Sequence, residues 1–201
     1  MKLSKFAVAA LLMACGHSYA AYTLTIAQSG PDVVATGSGS LNTSGATFAA
    51  SVPSPAFVIP NIGAALVGAA SASIYAITTV GPADFGTGSS AGASSTTGDA
   101  AGFTAGAWIA VPGGYASGAA LTPSTTTWTG TTIAALGLTP GSYTWVWGAG
   151  PTFDSFTVVV AAPATPASIP TLSEWAVIGL SAGMALWGLA RLRQRGTARR
   201  T

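Results

Sequence analysis

The ionisable side chains of this chain are few enough to place one by one. Besides four tyrosines, residues 21–168 contain four, Asp32, Asp84, Asp99 and Asp154, with the closest two 15 residues apart. That stretch holds no Lys, Arg, His, Glu or Cys. Proton-transfer catalysis draws on His first, then on Glu, Asp, Lys, Tyr and Cys. A Ser or Thr nucleophile needs a base beside it, and transition-metal sites need Cys, His or clustered carboxylates. Isolated aspartates assemble none of these locally. The sequence therefore predicts a protein that is not an enzyme, with no catalytic residue, no cofactor and no metal. Calcium held by Asp84 and Asp99 with backbone carbonyls is the metal alternative; aspartates in surface turns are the plainer reading. Phosphate-backbone binding needs Lys and Arg, so nucleic acid is excluded as a partner.

The cations sit at the two ends: Lys2, Lys5, Arg191, Arg193, Arg195, Arg199 and Arg200. Only 6% of the 201 residues are charged, against about 25% in average soluble domains. Residues 1–20 read as a secretory signal peptide. A cationic MKLSK precedes the apolar FAVAALLMA, which is too short to span a bilayer. Ser18 and Ala20 then supply small residues at −3 and −1 of a cleavage point between Ala20 and Ala21. Export through the Sec machinery is the expectation. Leu12-Met13-Ala14-Cys15 also resembles a bacterial lipobox, and under that alternative Cys15 carries lipid. Cleavage after Ala20 leaves no cysteine, so disulfides contribute nothing to the mature domain.

At the other end, residues 162–168 (APATPAS) form a Pro/Ala linker. IPTLSEW follows at 169–175, and residues 176–190 are uncharged and mostly apolar. With Trp175 and Leu192 the stretch approaches the lower length limit of a spanning helix. Trp175 suits one membrane boundary, and Arg191, Arg193, Arg195, Arg199 and Arg200 suit the other. The positive-inside bias places the tail in the cytoplasm and residues 21–168 on the far side of the membrane. Membrane lipid is thus a predicted partner.

Ile169, Pro170, Thr171, Leu172 and Trp175, an apolar helix and an Arg cluster together resemble the IPTL-CTERM sorting signal, a relative of the PEP-CTERM class of Gram-negative bacteria. Ala176 stands where that family usually has Gly. The resemblance implies that a membrane-embedded exosortase-type transpeptidase recognises the tail of an inner-membrane single-pass intermediate. It would cut near IPTL and pass the remainder to the cell surface or extracellular matrix. Pro170 lacks an N–H and disfavours helix at Ile169, which keeps the backbone there extended for an enzyme to grip.

Residues 21–161 read as an all-β passenger, a single β-sandwich-like domain of about seven short strands with Gly/Pro turns. Residues 22–26 alternate apolar side chains with Thr. Residues 32–42, 57–60, 73–80 and 107–111 read as further strand segments, and residues 125–132 are Thr-rich around Trp128. Residues 62–72 are Ala-rich and compatible with a short helix, and 86–102 read as a loop. Residues 142–147 and 153–160 form the clearest hairpin. DVVATGSGSLN, VPGGYASG, LGLTPGSYTWVWG and FDSFTVVV are similar to a recurrent domain of exported PEP-CTERM-type proteins, a resemblance that implies no activity.

Tyr143, Trp145 and Trp147 fall on one face of a strand. Such aromatics ordinarily fill a core. On an open face they would form a stacking platform for extracellular polysaccharide, with Trp108, Tyr115 and Trp128 contributing. That gives the functional alternative, a carbohydrate-binding or adhesive surface module. Asn42-Thr43-Ser44 matches a glycosylation sequon. The scarcity of charge also leaves few guards against strand-edge pairing, so the passenger is expected to polymerise.

Overall fold

The computed structural model describes residues 20–53, 55–69, 71–163 and 172–197. Residues 1–163 and 164–201 form two separate compact units. Most of the expected signal peptide, most of the linker, the motif residues Ile169, Pro170 and Thr171, and Arg199 and Arg200 lie outside the described residues.

The described residues of the first unit form thirteen strands. In chain order they are β1 (Ala20–Ser29), β2 (Asp32–Ser40), β3 (Thr47–Pro53), β4 (Phe57–Ile59), β5 (Ala64–Val67), β6 (Ser71–Ala76), β7 (Ala91–Gly92), β8 (Ser95–Thr97), β9 (Ala101–Thr104), β10 (Trp108–Pro112), β11 (Ala120–Trp128), β12 (Gly141–Trp147) and β13 (Asp154–Val160). They make a six-stranded sheet ordered β12-β13-β1-β2-β11-β8 and a seven-stranded sheet ordered β3-β6-β10-β9-β5-β4-β7. The pairing of β1 with β13 is parallel, with Ala20 opposite Asp154 and Ile26 opposite Val160.

Alternation explains the first sheet. Tyr22, Leu24 and Ile26 on β1 are buried, as are Val33 and Ala35 on β2 and Phe156, Val158 and Val160 on β13. The intervening Thr and Ser side chains of β1 and β13 are less buried, as expected of strands with one face covered. Val58, Val67, Phe103, Ile109 and Val111 of the second sheet join the same core. Phe103 links the layers, its ring centroid 4.3 Å from Trp145 and 4.5 Å from Phe156. Gly37 is required here by close approach. A Cβ at that position would stand 2.1 Å from the Tyr22 hydroxyl, which is bonded to Ser124 Oγ at 2.9 Å.

Three expectations are corrected. Residues 62–72 are not helical: Asn61 and Ile62 lie in a short 3-10 turn, and β5 and β6 follow. All four side chains of β5 are buried, and a fully buried strand shows no alternation to separate it from a helix. The stretch 86–102 is not merely a loop, because it carries β7, β8 and the start of β9, with Ala100 and Ala101 buried. β3 was not anticipated at all. Nearly every residue on it is exposed, so neither face imposes a hydrophobic pattern.

The second unit contains one helix, α1 (Leu172–Thr197).

Candidate functional site

The proposed aromatic platform is the first site to test against geometry. β12 does place Tyr143, Trp145 and Trp147 on one face, but that face points inward. Trp145 is 1% exposed and Trp147 3%. Trp145 packs edge-on against Phe85 at 6.1 Å, and its Nε1 donates to the Pro82 carbonyl at 2.7 Å. Trp147 Nε1 donates to the Asn42 carbonyl at 3.2 Å. Tyr143 is half-buried, and its hydroxyl donates to the Thr139 carbonyl at 3.0 Å. Trp128 is also buried, with Nε1 on the Ala91 carbonyl at 3.1 Å. Tyr115 accepts the Leu41 N–H and donates to the Ala119 carbonyl. Trp108 is half-buried on the second sheet, where it packs in a smaller cluster with Phe57 and Ile74. Rings enclosed in this way offer no open face to a sugar, so Trp145 and Trp147 are core residues, with Tyr143 packed partly buried against them.

Asp32, Asp99 and Asp154 bind backbone N–H groups. Asp32 Oδ1 accepts the Gly130 N–H at 2.8 Å, and Asp99 Oδ2 accepts the Thr122 N–H at 2.8 Å. No group of three or more His, Cys, Asp or Glu side chains that could hold a metal occurs among the described residues. Asp154 is the residue that sequence reasoning missed. It opens β13, is fully buried, and accepts the backbone N–H groups of Asn42 and Ser155. Burial pushes its carboxyl up to about 6, and those two donors only partly offset this. Its signal in the sequence was an acid directly ahead of an alternating apolar strand.

Asn42 organises the loop held by Asp154. Its Nδ2 donates to the Pro151 carbonyl at 3.0 Å, and its Oδ1 accepts from Ser44 N–H and Ser117 Oγ, each at 3.0 Å. The amide nitrogen that a glycan would occupy is thus already engaged.

At the N-terminal side, Ala20 and Ala21 are the first residues of β1 and pair with Asp154 and Ser155.

α1 opens at Leu172, two residues beyond Pro170, whose ring restricts the residue before it. Glu174 lies in its first turn, while Arg191, Arg193 and Arg195 lie towards its end. Trp175 in the first turn is exposed. Val177, Ile178, Leu180, Met184, Leu186, Trp187 and Leu189 are each 56–69% exposed. At about 100° per residue these seven positions surround the helix rather than marking one stripe. Ser181, within this stretch, donates its hydroxyl to the Val177 carbonyl at 2.7 Å, an internal bond that hides the polar group. The Arg191 guanidinium lies 5.3 Å from the Trp187 ring centroid. Among the described residues no helix is long and apolar enough to cross a membrane.

Residues 167–195 match the family model of the IPTL-CTERM motif. The match spans the IPTL segment and nearly all of α1. It marks a C-terminal sorting signal of exosortase type. No curated protein and no solved structure matches the chain.

Proposed function

We propose that this chain is an exported, non-enzymatic protein of the cell surface or extracellular matrix of a Gram-negative bacterium, delivered through its C-terminal signal. The observation that carries the reading is the IPTL-CTERM match over residues 167–195, on a helix whose large apolar side chains are exposed on every side. A helix that is apolar all round needs an apolar surrounding.

In this reading residues 1–20 direct export through the Sec machinery and are removed between Ala20 and Ala21. α1 then seats in the inner membrane, with Trp175 at the outer interface and the arginines at the inner one. The apolar stretch is short. Arginine stems extending towards the headgroups and local thinning of the bilayer accommodate a short span at modest cost. Seated in this way, α1 holds Ile169, Pro170, Thr171 and Leu172 just outside the bilayer, in reach of an exosortase-type transpeptidase. The protein is that enzyme's substrate. The passenger itself works as a structural unit, its polar groups spent on its own backbone.

Mass spectrometry of the protein recovered from whole cells tests this by locating both termini. The expected mature form begins at Ala21 and ends near the IPTL segment. Replacing Ile169, Pro170 and Thr171 with alanine should leave the C-terminus uncut and the chain in the inner-membrane fraction. Surface-delivered protein that retains residues 172–197, or a cytosolic location for most of the chain, would overturn the proposal.

A further inference from the structure

A two-sheet unit has four sheet edges, and an edge carries a row of unpaired N–H and C=O groups that invites another strand. Three of the four edges here are blunted. β7 has two residues and β8 has three, and very short edge strands template little. β12 is longer, but the segment around Val80 crosses it. Val80 N–H donates to the Val146 carbonyl at 2.8 Å, and Val146 N–H donates back at 2.9 Å. Trp145 Nε1 reaches over β12's edge to the Pro82 carbonyl of the same segment.

β3 is neither very short nor crossed by another segment among the described residues. It has seven residues, TFAASVP, with no charge and with proline only at its end. One side pairs with β6 from Thr47 to Pro53, with an irregularity between Phe48 and Ala50. Among the described residues no strand pairs with its other side. Phe48 is 56% exposed and Val52 36%, so apolar side chains flank the open edge.

We infer that β3 is a homodimerisation edge, on which two copies pair their β3 strands antiparallel to extend one sheet across both molecules. The occupant follows by elimination. What an open edge accepts is another open edge, and among the described residues of a second copy the long edge that no other segment crosses is β3 itself. Neither strand carries charge, so nothing repels the approach. This revises the expectation of polymerisation. A filament needs two usable edges per molecule and the described residues of this unit offer one, so association stops at two.

The geometry sets a sharp test. A two-fold axis perpendicular to the sheet makes one β3 residue face its own copy, at a Cα separation of about 4.5–5.5 Å. One residue along, the two copies of a position move about 3.4 Å in opposite directions, which takes them beyond the roughly 7 Å that a disulfide can bridge. In the full chain with Cys15→Ser, cysteine is introduced singly at Phe48, Ala49, Ala50, Ser51 and Val52. Each purified protein is mildly oxidised in detergent and run without reductant. The expected result is a cross-linked dimer at one position, loss of the link at its neighbours, and loss of it again when lysines replace two of the remaining β3 residues. Val146→Cys, at the point of β12 that Val80 covers, should not link. No link anywhere on β3, equal linking at all five positions, linking through Val146→Cys, or a ladder above dimer in mass photometry would each overturn the inference. Association through α1 cannot imitate the positional peak, and the result does not depend on how the C-terminus is processed.

Discussion

The two-sheet unit and α1 are both rich in apolar side chains, and they deal with them in opposite ways. In the sheets, Trp145, Phe85, Phe103 and Phe156 are almost wholly enclosed and lean on one another. In α1, Trp187, Leu186 and Leu180 are more than 60% exposed. The first set contributes to stability through contacts within the molecule. The second can contribute only where the surroundings are apolar. Residue type alone therefore does not say what a large side chain is for; the presence or absence of a covering layer does.

The comparison can be broken most forcefully at Trp145. Trp145→Ala removes the packing against Phe85 and Phe103 and the bond to Pro82. It should cost about 3–5 kcal/mol, the usual range for emptying a buried aromatic site, read from the midpoint of denaturant unfolding. Trp187→Ala should leave that midpoint unmoved; a comparable shift would mean that α1 shares the core's energetics. Leu180→Arg probes the other region. A cation at the centre of an inserted helix costs about 2.5–3.5 kcal/mol. The variant should shift from the carbonate-resistant membrane pellet to the soluble fraction, with the unfolding midpoint unchanged.

Asp154 sharpens the contrast within the core. Its carboxyl titrates at about 6 when folded against an ordinary value near 3.9, so the folded state prefers the protonated form. The associated stability is fully present below about pH 4 and is lost as pH rises through about 6, a loss of roughly 2–3 kcal/mol by linkage. Asp154→Asn should flatten that dependence in unfolding measured from pH 4 to pH 7. An unchanged slope would assign it to other groups. The smallest effect is expected at Thr126, whose buried hydroxyl contacts Thr96 Oγ1 at 2.8 Å and the Gly68 N–H at 3.3 Å. Thr126→Val should lower stability by about 1 kcal/mol, visible as a small shift in thermal midpoint.

How far the sequence could be read followed the same division. Tyr143, Trp145 and Trp147 opposite Phe156 and Val158 announced β12 and β13, because alternation records a single covered face. It does not say whether an aromatic row is covered, which is why the same residues also suggested a sugar platform. β5, buried on both faces, and β3, exposed on both, carry no alternation and were hidden for opposite reasons. Ala100 and Ala101 looked like loop filler. They are core because the backbones around them lie close: a Cβ at Gly102 would come within 2.7 Å of the Ala65 carbonyl oxygen. The sorting signal was legible because its parts are ordered along the chain rather than assembled in space. Asp154 was not, since its burial depends on Asn42, far away in sequence.

The parallel pairing of β1 with β13 sets a timetable. The strand that enters the export route first has its neighbour among the last passenger residues to be synthesised, so the first sheet stays incomplete until nearly all of the passenger has been translocated. Closing so long a loop is slow. Parallel strands also leave their sheet in the same direction, which puts the start of β1 and the end of β13 about 20 Å apart at opposite rims. The start of β1, beside the expected N-terminal cleavage bond, and the point where the chain leaves β13 therefore lie at different ends of the sheet.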